Sequence, residues 1–432
     1  MTQDELIALI DQAAEEGWTD LDLSGQGLTE LPPEIGKLTK LESLVLGKWD
    51  RKSKGPQGIR GFERQGNLNI PLLATNKLGR LPDEIELLEN LRSLELSGNH
   101  FNSFPLVIIK LRNLEKLVMM RTEMREVPKA IAQLSKLTEL NLQYNRLSSI
   151  PDGIFELKEL LKLCLTGNQI NIIPDEIVHL KKLRSIELGS NQISLIPESL
   201  CHLNNLIALY LDNNEITSIP NSISQLTKLS VLNLWSNQIT VIADELSQLK
   251  NLSELNLGGN QLKKVPGTLS ELEELNSLYL FGNEIDSLPN TVSNLYDLTE
   301  LFIGSNQIKV IPEVIFRLPH LETFGAANNQ ITNIPDNISC LRNLSRIDLS
   351  ANGIVSIPDS ITRLHNLVTI NFHNNRITSI PKTVNRLKKL ETLNLRDNLI
   401  DVIPDEIGDL PCLKLLDLYG NKLSVFLELF VD

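Results

Sequence analysis

Leucine and isoleucine recur along the chain in one frame, LxxLxLxxNxIxxIPxxIxxLxx, which repeats every 23 residues. Leu252, Leu255 and Leu257 precede Asn260, for example, and Ile219-Pro220 follows Asn214. The LxL core has a period of two, which predicts a short strand with both leucines on one side. The IxxLxxL stretch has helical spacing but is short, which predicts one or two 3-10 or α turns. Each repeat is therefore predicted to contain a strand, a turn at proline and a short helical return.

Asparagine marks the same point in almost every repeat, just after the strand. Its amide group both donates and accepts hydrogen bonds, so it can satisfy backbone groups of the turn and of the next coil. Thr122 replaces it in one repeat, Asn76 lies one step upstream, and Gln26 is assigned the same role in the first repeat. The predicted ladder consists of Asn99, Asn145, Asn168, Asn191, Asn214, Asn237, Asn260, Asn283, Asn306, Asn329, Asn352, Asn375, Asn398 and Asn421.

A single repeat cannot bury its aliphatic face, so neighbouring repeats must stack with their strands about 4.8 Å apart. The chain is therefore predicted to be an α/β right-handed solenoid, a curved horseshoe of about 17 repeats. Its parallel strands would line a concave face, with short 3-10 or α segments on the convex side. The predicted solenoid spans residues 18–423, between a capping helix over 1–17 and an apolar tail over 424–432.

The first 17 residues have the pattern of a capped helix. Thr2 and Glu5 match a capping box, in which each side chain bonds the other residue's backbone. Leu6, Leu9, Ile10 and Ala13 share one face, and Gly17 ends the helix. We expect the apolar face to cover the open edge of the first repeat, with Trp18 beside it, because a bare terminal strand invites pairing with another chain.

A glycine-rich, basic insert interrupts the second repeat over about residues 47–75. Such a segment is either a mobile surface loop or a functional arm that binds an acidic partner or a phosphate. The cations assigned to the arm are Arg51, Lys52, Lys54 and Arg60.

The last repeat departs from the frame, because Leu427 stands where proline is expected. Three interpretations remain open for this end. The apolar tail folds over the last coil, the coil pairs with another chain in self-association, or the sequence is a fragment of a longer protein.

Composition narrows the function classes. The net charge of −13 argues against general nucleic-acid binding, which needs a basic surface, and against docking on anionic membranes. Cys164, Cys201, Cys340 and Cys412 lie far apart without CxxC spacing. The N-terminus lacks the pattern of a signal peptide, and no apolar run approaches the ~20 residues of a membrane span. These features predict a cytoplasmic protein.

The repeat frame resembles intracellular leucine-rich repeats of the 23-residue Ras-suppressor and scaffold type over nearly the whole chain. Within residues 1–80, the segments 16–24 (EGWTDLDLS) and 44–49 (LVLGKW) are similar to the repeat region of bacterial Roco proteins. In Roco proteins such repeats precede a Ras-like GTPase domain. The present sequence has no GxxxxGK[ST] phosphate loop. The resemblance therefore implies a repeat fold and a recognition role in signalling, without GTP hydrolysis.

Five aromatic residues fall at strand positions two or four before the ladder asparagine, on consecutive repeats. Such positions should point out of the concave face, and large aromatics separated by small residues are typical of interface hot spots. The alternative is that these rings pack on each other and only stabilise the sheet. The predicted partner-binding residues are Tyr210, Trp235, Tyr279, Phe281 and Phe302, flanked by Asp212, Glu254 and Glu300.

A second, weaker group lies on the predicted concave face nearer the C-terminus: Arg346, His373, Arg396 and Tyr419. These residues would either contact an acidic segment or form a solvated mixture of charges.

The sequence shows no HExxH or GxSxG motif, the histidines are scattered, and a lone cysteine at the concave position 164 is typical of an inert small hydrophobe. The sequence therefore predicts a non-enzymatic protein-interaction module that requires no metal or cofactor. The alternatives are the detached recognition region of a Roco-type protein and, least favoured, an enzyme.

Overall fold

The alternation of leucine with polar residues produces the strands. In the strand Glu254–Asn256, Leu255 is fully buried while the residues on either side are half-buried. Within each part of the chain described below, the strand of one repeat pairs in parallel with the strand of the next repeat, so that Leu255 lies beside Leu278. Because the repeat length is constant here, equivalent leucines of paired strands such as β13 and β14 lie in register and are buried side by side.

The computed structural model describes residues 1–54, 60–65 and 68–423. The predicted apolar tail over 424–432 lies outside the described residues, as do parts of the insert. The strands are β1 Asp20–Asp22, β2 Ser43–Trp49, β3 Phe62–Gln65, β4 Leu68–Pro71, β5 Leu73–Ala74, β6 Ser93–Leu96, β7 Lys116–Val118, β8 Glu139–Asn141, β9 Lys162–Cys164, β10 Ser185–Glu187, β11 Ala208–Tyr210, β12 Val231–Asn233, β13 Glu254–Asn256, β14 Ser277–Tyr279, β15 Glu300–Phe302, β16 Thr323–Gly325, β17 Arg346–Asp348, β18 Thr369–Asn371, β19 Thr392–Asn394 and β20 Leu415–Asp417.

The chain divides into two units, Met1–Glu215 and Ile216–Asp432. In the first unit β1, β2 and β6 to β11 form parallel pairs in chain order. In the second unit β12 to β20 do the same. Each unit is thus built from repeats that contact their neighbours in sequence.

Short 3-10 helices return the chain to the next strand, as the spacing predicts. Proline precedes nearly all of them, with Pro220 at φ −70° and ψ 149°, and Ala243 adopts nearly the same angles in its place. The helices are α1 Gln3–Glu16 and the single turn α2 Glu198–Cys201, with 3-10 segments at Pro33–Lys37, Asp83–Leu87, Leu106–Lys110, Lys129–Gln133, Asp152–Glu156, Asp175–His179, Asn221–Gln225, Asp244–Gln248, Gly267–Glu271, Asn290–Asn294, Glu313–Arg317, Asp336–Cys340, Asp359–Arg363, Lys382–Arg386 and Asp405–Asp409.

The N-terminal helix has both hydrogen bonds of the predicted capping box. The backbone N–H of Glu5 donates to the Thr2 hydroxyl, and the Glu5 carboxylate accepts from the backbone N–H of Thr2 at 2.7 Å. Gly17 ends the helix in the left-handed region at φ 68°. Leu6, Ile10 and Ala13 are fully buried, so this face of α1 supplies apolar cover at the start of the first unit.

The ladder asparagines bind backbone groups of two coils at once. The Asn260 amide Nδ2 donates to the carbonyls of Leu257 and Leu234, both at 3.0 Å, and Oδ1 accepts from the N–H of Ile239 at 2.9 Å. Both inter-coil bonds reach the preceding coil, whereas the sequence predicted bonds to the next one. Gln26 does not fill the ladder role predicted for it. Its amide donates to Ser24 O at 3.5 Å, and the residues that precede its repeat form the helix α1.

A second asparagine column lies where each 3-10 segment leads into the next strand. Asn251 Nδ2, for example, donates to Thr227 O in the preceding repeat at 2.6 Å. The members of this column are separated by multiples of 23 residues. Their hydrogen bonds link the segment after one 3-10 helix to the same segment of the preceding repeat. Its members in the described chain are Asn90, Asn113, Asn205, Asn251, Asn343 and Asn366.

The described part of the insert is folded into β structure. Strands β3 and β4 form an antiparallel hairpin in which Phe62 lies opposite Pro71, and β5 returns antiparallel to the end of β2. Arg121 Nη1 donates to Pro71 O at 3.0 Å and lies 3.4 Å from the Glu63 carboxylate. These contacts fasten the hairpin to the repeats of the first unit.

Candidate functional site

Three strand positions of each repeat point to the predicted concave side, which we call the strand face. They lie two, four and six residues before the ladder asparagine. In the repeat that contains β13 these are Gly258, Asn256 and Glu254, and the alternate residues Leu255 and Leu257 are fully buried. The strand face is therefore free to vary while the buried face holds the fold.

Four of the five predicted aromatic residues lie on the strand face of the second unit: Trp235, Tyr279, Phe281 and Phe302. We call this set the aromatic surface. All four are half-buried. The Tyr279 and Phe302 rings are stacked, with their centroids 5.2 Å apart and their planes 6° from parallel. The Tyr279 and Phe302 rings thus pack on one another, as the stabilising interpretation predicts, and all four rings still present area to solvent, as binding requires.

Glycine makes room for two of these rings. A Cβ atom at Gly258 would lie 2.7 Å from the Phe281 ring, and one at Gly325 would lie 2.6 Å from the Phe302 ring. Real side chains do not approach so closely, so each ring lies directly over a glycine of a neighbouring repeat. The aromatic surface therefore has a fixed relief of rings seated in shallow depressions.

Carboxylates lie within the aromatic surface, on the strands themselves. The Tyr279 hydroxyl donates to Glu300 Oε2 at 2.6 Å. Burial and this hydrogen bond to a carboxylate raise the pKa of Tyr279 to about 12. Glu254 is half-buried on the neighbouring strand β13. The aromatic surface thus combines apolar rings with the carboxylates of Glu254 and Glu300, which can accept hydrogen bonds from a partner.

Tyr210 and Asp212, predicted with the other aromatic residues, line a different site in the first unit. They lie in a cleft of about 430 Å³ whose floor is the strand face of β7 to β11 and whose roof is the insert. We call this site the roofed cleft. The structure therefore does not assign all the predicted binding residues to one unit.

The roof of the cleft consists of residues that sequence reasoning did not select, except for Arg51. The Trp49 and Phe62 rings meet edge to face with centroids 4.9 Å apart, and Trp49 Nε1 donates to Gly61 O at 2.7 Å. The Arg51 guanidinium lies 4.4 Å from the Trp49 ring centroid. Two aromatic residues in a glycine-rich insert were the available signal, since such rings seldom stay in solvent.

The floor of the cleft carries charges of both signs. Lys162 Nζ lies 2.7 Å from Glu187 Oε1, and Gln143 Nε2 donates to Glu187 Oε2 at 2.6 Å. Glu139 and Asp212 add two more carboxylates. Burial, with the nearby charge of Glu187, raises the pKa of Asp212 above its ordinary value. The Lys162–Glu187 pair is internally balanced, which leaves an excess of acid on the floor.

The weaker predicted binding residues, near the C-terminus and on the insert, do not all lie together. The Arg396 guanidinium lies 4.5 Å from the Tyr419 ring centroid and 3.2 Å from the Asp397 carboxylate. His373 shares their column, two residues before its asparagine, whereas Arg346 lies six before its own. On the insert, Lys52, Lys54 and Arg60 are exposed, and Lys54 forms an antiparallel bridge with Arg60.

The described residues contain no group of three or more metal-ligating side chains. Burial raises the pKa of the Cys164 thiol far above its ordinary value, so this cysteine is held as an unreactive thiol. No helix in the described chain has the length and apolar character needed to cross a membrane.

Comparison with known proteins gives the family. Models of the leucine-rich repeat region and the leucine-rich repeat match residues 136–157, 157–264, 297–354 and 365–423. A solved leucine-rich-repeat protein of Leptospira interrogans is 33% identical, with a TM-score of 0.82, and the match covers 94% of this chain and 97% of that one. The chain belongs to the leucine-rich-repeat family. The predicted leucine-rich-repeat solenoid, with parallel strands and short 3-10 segments, is thereby confirmed.

Further leucine-rich-repeat structures resemble this family member more distantly. An internalin of Listeria monocytogenes is 29% identical with a TM-score of 0.62, and the match covers 69% of this chain and 85% of that one. A plant peptide hormone receptor, RGFR1 in complex with RGF2, is 27% identical with a TM-score of 0.61, with 93% and 78% covered. No protein of curated function matches the chain.

Proposed function

We propose that this leucine-rich-repeat protein is a non-enzymatic interaction module that binds a protein or peptide partner on the aromatic surface of its second unit. The observation that carries the proposal is the set of half-buried rings Trp235, Tyr279, Phe281 and Phe302 on one strand face, two of them seated over glycines. Rigid aromatic side chains supply contact area at low entropic cost, which is what interface hot spots need. The similar plant receptor, solved with its hormone RGF2, supports a protein or peptide ligand.

The setting that we propose is cytosolic signalling, as the family resemblance of the 23-residue frame implies. The net charge of −13 favours protein partners over nucleic acids or anionic membranes. Cys164 and Cys201 are buried free thiols, as reducing compartments permit.

Affinity capture of partner proteins from a cell lysate, with the purified protein as bait, tests whether the aromatic surface binds a partner. Wild type, the Trp235→Ala/Phe281→Ala double variant and a Tyr296→Ala control would each be used as bait, with every recovered protein quantified by mass spectrometry. Tyr296 is 62% exposed and lies outside the aromatic surface. We expect at least one protein to be recovered at least tenfold less by the double variant and equally by the control.

Equal recovery of all proteins by the three baits would overturn the proposal, provided that circular dichroism shows the double variant folded. Glu254→Lys is a second test that leaves every ring in place. Since it reverses a charge beside the rings, we expect it to weaken the same protein's binding severalfold.

The alternative function, a recognition region of a Roco-type protein, rests on the similarity of residues 16–24 and 44–49 to Roco repeats. Its test is the genomic DNA downstream. A reading frame with a GxxxxGK[ST] loop next to a Ras-like domain would support it, and an unrelated frame would count against it.

Self-association through the C-terminal repeat is a separate proposal. Leu415 is 53% exposed and Tyr419 is 69% exposed there. Sedimentation should show a dimer that Leu415→Glu abolishes, and a monomer at high concentration would overturn this proposal.

A further inference from the structure

The roofed cleft is a second concavity with a composition of its own. Its aromatic lining comes from both sides, with Trp49 and Phe62 above and Tyr144 and Tyr210 on the floor. The floor also offers amide and hydroxyl groups from Asn141, Gln143 and Thr166. At about 430 Å³ the space accommodates a long side chain and part of a backbone, and it lies in the lower part of the usual range for ligand pockets.

Carboxylates outnumber cations in this cleft. Glu139, Glu187 and Asp212 face Lys162 and Arg51. Lys162 lies 2.7 Å from Glu187 and neutralises it. Arg51 projects from the roof, where its guanidinium is held against the Trp49 ring. Asp212 extends over Gly189, where a Cβ atom would come within 2.8 Å of Oδ1.

The carboxylates of the cleft also affect the pKa of Tyr144. Burial, followed by the charges of Asp212 and Glu187, raises the pKa of its phenol. The Asp212 and Glu187 carboxylates therefore both act on the Tyr144 phenol, and an additional cation beside this ring would be favoured by both the carboxylates and the ring face.

We infer that the roofed cleft binds an arginine side chain presented by a protein partner, with the guanidinium against the floor tyrosines and paired with Glu139 and Asp212. A planar guanidinium stacks on aromatic rings and forms forked hydrogen bonds to carboxylates. Arg51 on Trp49 shows that the roof already holds this group. The inference does not rest on the aromatic surface, because the two sites use different strands.

Fluorescence of Trp49 reports on the cleft directly. The chain has three tryptophans, so Trp18→Phe and Trp235→Phe leave Trp49 as the only indole. The full-length reporter would be titrated with acetyl-Gly-Arg-Gly-amide and with the lysine, glutamine and glutamate versions of that peptide. We expect a saturable change with the arginine peptide, at least threefold weaker binding of lysine, and no response to glutamate.

Charge variants then locate the site. Glu139→Lys should weaken arginine binding at least tenfold, whereas Glu274→Lys, an equal charge change at an exposed position lining neither the cleft nor the aromatic surface, should leave it within twofold. Arg51→Ala should strengthen binding severalfold, since it removes a like charge and bares the Trp49 ring. A gain of affinity cannot come from a misfolded protein.

Several outcomes would overturn the inference. They are a Trp49 signal that does not saturate with the arginine peptide, equal binding of the glutamate peptide, and Glu139→Lys binding as wild type does. Equal affinity for lysine would overturn the assignment of arginine. Loss of this titration with intact partner capture would leave the proposed function standing.

Discussion

Two strands of this protein have the same sequence and different surroundings. β8 (Glu139–Asn141) and β13 (Glu254–Asn256) both read Glu-Leu-Asn, and in both the leucine is buried between half-buried neighbours. Glu139 lies in register between Lys116 and Lys162, beneath the insert.

Glu254 instead lies between Val231 and Ser277, and the next strand-face position on β14 is Tyr279. The insert thus adds the Trp49 and Phe62 rings above β8, whereas beside β13 the aromatic rings all belong to the repeats. The comparison teaches that the repeat sets where a side chain points, and its neighbours decide what it can bind.

The largest expected effects are losses of stability on replacing a ladder asparagine. They should be equal in the two regions, because both are built from the same repeat. Asn145→Ala and Asn260→Ala each remove an amide that bonds several buried backbone groups. We expect each to lower the free energy of unfolding by about 3 kcal/mol. Asn251→Ala in the exposed second column serves as the control and should cost about 1 kcal/mol. Denaturant titration would measure all three, and a strongly unequal pair would contradict a common scaffold.

Gly258→Ala should affect the second region alone. The new Cβ would lie 2.7 Å from the Phe281 ring, so the ring must move, at a cost of about 1–2 kcal/mol. Partner affinity should fall severalfold although no ring is lost. Gly408→Ala is the matched control, since nothing lies within 4 Å of its Cβ position. Unchanged partner recovery by the Gly258 variant would count against a fixed aromatic surface.

Arg121→Ala should loosen the roof of the first region. It removes the hydrogen bond to Pro71 O and the ion pair with Glu63, worth about 1 kcal/mol in total. Limited trypsin digestion at Lys52 or Lys54 should then be about fivefold faster, because cleavage follows the population of the open form. Arg92→Ala, which breaks an exposed ion pair elsewhere in the unit, is the control. Equal cleavage rates would show that Arg121 does not hold the insert.

The smallest effect should be the titration of Tyr279. Its pKa in the folded protein is about 12, above the ordinary value of 10.0, so the unfolded chain ionises first as pH rises. The contribution of Tyr279 to stability is therefore complete below pH 10 and is lost between pH 10 and 12. Tyrosinate absorbance should show Glu300→Gln lowering this pKa, and Glu254→Gln lowering it less, with Tyr279→Phe assigning the signal. A pKa unmoved by Glu300→Gln would exclude the hydrogen bond as its cause.

The periodic parts of the fold could be predicted because the same residue pattern recurs in many repeats, so that each assignment of a strand or turn is supported many times. The strands, the proline turns, the Thr2–Glu5 cap and the asparagine ladder all follow from fixed spacing. The second column, with Asn90 and Asn251, has the same period and was missed because only the position after the strand was traced. The direction of the ladder bonds was predicted wrongly, since spacing alone does not say which coil an amide reaches.

The non-periodic insert could not be placed in this way. Its pairing with β2 and its contact with Arg121 depend on tertiary geometry. Consequently Tyr210 was grouped with Trp235 on spacing, although the structure places Tyr210 beneath the insert hairpin. The insert, which forms the roof of the cleft and distinguishes the first unit from the second, does not follow the 23-residue repeat.

The backward direction of the asparagine bonds has a consequence for synthesis. Asn260, for example, satisfies the carbonyl of Leu234 and the N–H of Ile239, both made before it. A coil is therefore closed by residues that leave the ribosome roughly one repeat later, which takes a few seconds at about 5–20 residues per second. The nascent chain can therefore assemble in chain order, with the ladder bonds of each coil completed when the asparagine of the following repeat emerges.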